Sequence, residues 1–154
     1  MSTSVTSTTV NSEERVKAYV AIWDRHDLDA SEKMLDPNIV LYSPLYPNGV
    51  KGLAAHHEAD VKFFKSMPDF QFKIQRIAAK DDFVAAELLG TGTSTGPAEL
   101  PGRPPLQPTG RRVEFQLASF FRVNSKGLIE EEKYVYDRLV FLQQIGVSLG
   151  GSQS

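Results

Sequence analysis

The chain has 154 residues, 41% hydrophobic and 23% charged, with seventeen Lys and Arg against nineteen Asp and Glu for a formal charge of −2, which suits one soluble domain with its own core. No apolar run reaches the roughly 20 residues that span a bilayer, MSTSVTSTTV lacks the basic and apolar parts of a leader, the basic residues form no stripe to track phosphates, and zero cysteines exclude disulfides, thiol nucleophiles and thiolate metal sites. A cytoplasmic protein that binds neither membrane nor nucleic acid is expected.

Residues 1 to 10 are Ser/Thr-rich and 148 to 154 read SLGGSQS, so both are expected to be mobile tails around a domain over 11–147. Asn11 and Glu14 stand at capping-box spacing, and Val16, Tyr19, Val20 and Trp23 recur at i, i+3, i+4, i+7, which predicts an amphipathic first helix. A short helix from about Asp29 to Leu35 should stop at Asp36-Pro37, because proline disfavours helical geometry in the residue before it. Asn38 to Ser43 reads as a strand, Tyr46-Pro47-Asn48-Gly49 as a turn, and Gly52 to Met67 as a helix with Leu53, His57, Val61 and Phe64 on one side.

Alternation predicts strands from Phe70 and from Phe83 to Thr91, joined at Asp81-Asp82. The Gly- and Pro-rich stretch from Gly90 to Gly110 reads as a long loop of the kind that rims or covers a pocket. Val113, Phe115, Leu117, Ser119, Phe121 and Val123 share the buried face of the next strand, and Asn124 to Gly127 turns into a last strand over Leu128 to Leu142. Its alternate residues include Lys133, Val135, Asp137 and Leu139, so Asp137 is expected as an acid on an apolar face. Helices followed by antiparallel strands, with no βαβ repeat, give the α+β class.

The ordered segments VKAYVAIWDRHDLDASEKMLDPNIVLYSP, MPDF, GTSTGP, PTGRRVEF, FFRVNSKGLIEE and YDRLVFLQQIGV resemble the SnoaL-like polyketide cyclase family of the NTF2-like superfamily, from about Ser12 to Val147. The resemblance implies a cone: a curved antiparallel sheet covered by about three helices of the N-terminal half, enclosing one apolar pocket, in a homodimer packed through the sheet. It implies an aspartate near the C-terminus as general acid and base, which maps to Asp137. Two departures alter the local polar network: the family often shows GTHTG where this chain has Gly92 to Gly96, and Trp where it has Lys133. The first forty residues also resemble ketosteroid isomerases, whose helical Tyr maps to Tyr19, yet the catalytic Asp-Pro of those enzymes is replaced by Ser43-Pro44. Cones similar to limonene epoxide hydrolase use an Asp-Arg-Asp set with the Arg on a middle strand, and this chain has Glu87 in that region instead.

A carboxyl in an apolar cone has its charged form desolvated, which raises its pKa toward neutrality and suits proton shuttling. For Asp137 the alternative is a strand-end acid that pairs locally with Arg138 or a lysine. Tyr19 either donates to a developing enolate or simply packs in the core. A pair between His57 and Asp60 would explain a carboxylate within an apolar helical arc. Trp23, Phe63, Phe64, Phe115 and Phe121 are candidate apolar walls, Ser119 and Lys133 candidate polar contacts, and Glu87 or Asp60 could orient a nucleophile. Adjacent histidines do not face each other on a helix, and no nucleotide or Ser-His-Asp pattern occurs, so neither metal nor cofactor is expected. The expected function is cofactor-free cyclisation or isomerisation of a hydrophobic, oxygenated small molecule. Epoxide opening and non-catalytic ligand binding stand as alternatives.

Overall fold

The computed structural model describes residues 10–147. Apart from Val10, the expected tails lie outside the described residues.

Helix α1 (Ser12–Asp24) begins where the Asn11 side chain accepts the Glu14 amide at 3.1 Å. It buries Val16, Tyr19, Val20 and Trp23 on the stripe that the spacing predicts. Helix α2 (Leu28–Glu32), capped by Asp27, ends sooner than expected, and strand β1 (Leu35–Ser43) already contains Pro37. Proline is accommodated because the pairing of β1 shifts register between Leu35 and Val40, so no ladder amide is needed there. The chain reverses at Pro44-Leu45 rather than at Tyr46 to Gly49, which belong to β2 (Tyr46–Lys51). Gly49, at φ 88°, is needed inside that strand because a Cβ would lie 3.0 Å from the Tyr42 and Val40 side chains.

Helix α3 (Leu53–Ser66) is followed by the hairpin of β3 (Gln71–Lys80) and β4 (Phe83–Thr93). The expected loop holds a short hairpin, β5 (Ala98–Leu100) and β6 (Arg103–Leu106), tied to the end of α3 where the amides of Thr95 and Gly96 both donate to the Ser66 carbonyl. Strand β7 (Arg112–Val123) buries its odd-numbered residues from Val113 to Val123, as alternation predicts. Then come β8 (Ile129–Val135) and, in place of a continuing strand, helix α4 (Arg138–Gln144).

Six strands form one sheet in the order β2-β1-β8-β7-β4-β3, antiparallel at every ladder except β1 with β8. The helices close its inner face, as the cone requires. The core lies between them and includes Val16, Ile39, Phe70, Leu88, Phe121 and Ile129.

One irregularity decides what the cone contains. Opposite Arg122 and Val123 of β7 stand Glu131 and Ile129 of β8, which leaves Glu130 as the extra residue of a bulge. Ile129 is buried, and counting by twos from it would bring Lys133, Val135 and Asp137 inward. The bulge reverses that parity, so Glu132 and Tyr134 face the cavity while Lys133 is exposed and Val135 is 46% exposed.

Candidate functional site

An apolar cavity of about 140 Å³ opens among α1, α3, the inner sheet face, the β5–β6 hairpin and α4. Trp23, Phe63, Phe70, Phe72 and Phe115 line it, and Trp23 stacks on Phe72 with ring centres 4.9 Å apart. Into this wall project Tyr19 of α1, Asp60 of α3, and Glu132 and Tyr134 of β8.

Asp60 and Glu132 meet on one side chain that sequence reasoning missed. His56, on the turn of α3 before Asp60, is 1% exposed, as is Glu132; its Nε2 donates to Glu132 Oε2 at 3.0 Å. Its Nδ1 lies 3.3 Å from Asp60 Oδ2, an ion-pair distance without hydrogen-bond alignment. Burial disfavours the charged imidazole, but Glu132 and Asp60 outweigh it and hold the His56 pKa up at about 11. Burial raises the carboxyl of Asp60 above its usual range, against the pull of His56. One imidazolium between two carboxylates leaves a net negative charge in a buried place, so the cluster has an affinity for one more proton. Glu132 Oε1 is buried with no hydrogen-bond partner.

Tyr19 is 2% exposed, and burial, reinforced by Glu132, holds its phenol protonated well above the usual range. Tyr134 behaves likewise, through burial and then Glu132. Each can donate a proton in a hydrogen bond without losing it.

Several expected site residues lie elsewhere. Asp137 is exposed, outside the cavity lining, and caps α4 by accepting the Val140 amide at 3.1 Å. The expected buried acid is therefore replaced by Glu132, five residues earlier and of the opposite parity. His57 does not pair with Asp60: it turns from the cavity to Glu32, and His56, at i,i+4, takes that place. Lys133, expected as a polar contact of the pocket, lies exposed on the outer face. Glu87 is also on the outer face and pairs with Arg76 at 3.1 Å. Ser119 is fully buried and spends its hydroxyl on the Ala86 carbonyl, and Phe121 packs in the core against Tyr134; neither lines the cavity. Phe64 supports Trp23 from behind at 4.4 Å, leaving Phe63 as the wall. His26 donates to the Phe70 carbonyl at 3.0 Å. Tyr19, Trp23, Asp60, Phe63 and Phe115 are the predicted residues that the fold brings together at the cavity.

Among the described residues no group of three or more His, Asp or Glu is arranged to hold a metal ion, and no helix is long and apolar enough to cross a membrane.

No curated protein matches this sequence. The structure is similar to that of AclR from Streptomyces galilaeus, which carries a proposed hydroxylase assignment, at 30% identity and a TM-score of 0.73, over 90% of this chain and 98% of that one. It is similar to IdmH from Streptomyces antibioticus, described as a candidate polyketide cyclase, at 23% identity and a TM-score of 0.72, over 89% and 99% of the two chains. An LEH-like epoxide hydrolase of M. tuberculosis shares the fold at 18% identity and a TM-score of 0.69, over 89% and 90%. The model of the SnoaL-like polyketide cyclases matches residues 13–145, and the chain belongs to that family.

Proposed function

We propose that the protein is a cofactor-independent acid–base catalyst that closes or isomerises a hydrophobic, oxygenated small molecule of polyketide or terpenoid type inside the cone. The observation that carries this reading is the buried His56 bridging Asp60 and Glu132, both of which line a largely apolar cavity. Asp60, whose proton affinity is raised by burial, takes the proton from a carbon beside a substrate carbonyl. The electron pair of that C–H bond moves into the enolate, whose oxygen is stabilised by the Tyr19 hydroxyl. Attack of the enolate carbon on a second carbonyl forms the ring bond and breaks the C=O π bond. The resulting alkoxide then recovers the proton from Asp60. His56 stays protonated throughout and holds both carboxyls in place.

A second reading draws on the same pair of carboxyls. Epoxide opening needs one group to protonate the leaving oxygen and another to activate the nucleophile, and two acids flanking one base supply both. In that case Asp60 in its protonated form is the acid and Glu132 the base.

Deuterium incorporation from D2O into 2-tetralone, a bicyclic ketone, followed by NMR, tests proton abstraction without knowledge of the natural product. The expected result is acceleration by the wild-type protein, reduced about 10²- to 10³-fold by Asp60→Asn. Equal rates with and without protein would refute carbon acid chemistry, and an unchanged Asp60→Asn rate would refute Asp60 as the base.

A further inference from the structure

Five charged side chains line the cavity: Asp60, Lys62, Glu99, Glu132 and Arg138. Four have partners. Asp60 and Glu132 share His56, and Lys62 lies 3.0 Å from Glu58 and 3.1 Å from Glu99. Arg138, the first residue of α4, forms no ion pair among the described residues, and its Nε is buried without an acceptor. A buried donor left unmatched is destabilising unless something completes it.

Aromatic rings flank Arg138 along the chain. Tyr136 and Phe141, on either side of it in sequence, pack with ring centres 5.9 Å apart, and they lie 5.3 and 5.0 Å from Phe115. All three rings belong to the cavity lining. A guanidinium presents parallel N–H groups that match the two oxygens of one carboxylate. A phosphate dianion would call for further cations, and the other cation in the lining, Lys62, is already held by two glutamates.

We infer that Arg138 is the anchor for a carboxylate carried by the substrate, so that the cavity takes an aromatic or polycyclic acid rather than a neutral compound. The inference rests on the reading of the cavity as the acid–base site. It also supplies an orientation. The net negative His56 cluster repels the acid end and Arg138 attracts it, which directs the neutral carbonyl end of the molecule toward Asp60.

Calorimetric titration with 2-naphthoate and with 2-naphthamide, a neutral compound of the same shape, tests this at about pH 8. Wild-type protein is expected to bind the acid roughly ten- to hundredfold more tightly than the amide, as for a hydrogen-bonded charge pair. Arg138→Met should bring the acid down to the affinity of the amide, and Arg138→Lys should retain part of the preference. Equal affinities in the wild type, a preference that survives in Arg138→Met, or no binding of either compound would each overturn the anchor. Deuterium exchange into neutral 2-tetralone separates the two proposals. Exchange without acid preference refutes the anchor alone, and acid preference without exchange refutes the acid–base reading alone.

Discussion

Replacing His56 by Gln tests whether the buried cluster carries the charges assigned to it. Glu132 is 1% exposed and Asp60 8% exposed, and both depend on His56 for an opposite charge. Removing one partner of a buried ion pair costs about 3–5 kcal/mol, a large part of the total stability of about 5–15 kcal/mol that a domain possesses. The wild-type protein has a further signature. With a folded-state pKa of about 11 against about 6.5 unfolded, the stabilisation from His56 is fully present below about pH 6.5 and is lost as pH rises toward 11. Within that window the folded state holds a proton that the unfolded state lacks, so stability falls by about 1.4 kcal/mol per pH unit. Between about pH 8 and about pH 9.5 the loss is about 2 kcal/mol. Urea unfolding followed by the fluorescence of Trp23, the single tryptophan, measures it. In His56→Gln this slope should vanish. Burial raises the Asp60 carboxyl, and the variant removes the His56 cation that opposes this, so the variant should instead gain stability on acidification from neutral pH. Wild-type stability that is flat over the alkaline range, or an equal slope in the variant, would refute a protonated His56 between two carboxylates.

Asp137→Ala should cost about 1 kcal/mol through loss of the α4 cap and leave the 2-tetralone exchange rate unchanged; a collapse of exchange in a folded variant would return the acid–base role to Asp137. In Gly96→Ala the new Cβ would lie 1.9 Å from the Lys65 carbonyl oxygen. Backbone must therefore move, and thermal unfolding should show a loss of about 1–3 kcal/mol. Phe121→Ala, at a side chain 1% exposed within the core, should lose about 3–5 kcal/mol in urea unfolding; a change under 1 kcal/mol would contradict its placement.

The scaffold was legible wherever burial follows a period. The stripe of α1, the odd-numbered face of β7 and the β3–β4 hairpin each repeat the same choice several times, so one ambiguous residue does not alter the reading. The polar site depends instead on choices made once. An extra residue at Glu130 exchanges the inner and outer sets of β8, and Glu130 to Glu132 offer three identical side chains from which the bulge cannot be told. His56 and His57 differ by a single helical step, and the apolar stripe of α3 passes near both. Asp137 precedes Leu139 to Leu142 as a cap precedes a helix, but an uninterrupted strand was an equally good account of the same letters.

What resolves those choices is pairing rather than hydrophobicity. Once Glu132 is turned inward, its carboxylate must meet a cation in a place without water, and the residue that reaches it is His56, 76 positions away in sequence. With His56 inward, Asp60, one turn further along α3, falls on its other ring nitrogen and His57 is released to Glu32. The bulge, the choice of histidine and the buried aspartate are thus one decision, taken by electrostatics across the cavity. A hydrophobic pattern weighs each residue against its chain neighbours and carries no information about that balance, which is why most walls of the site could be read and the pairing of its charges could not.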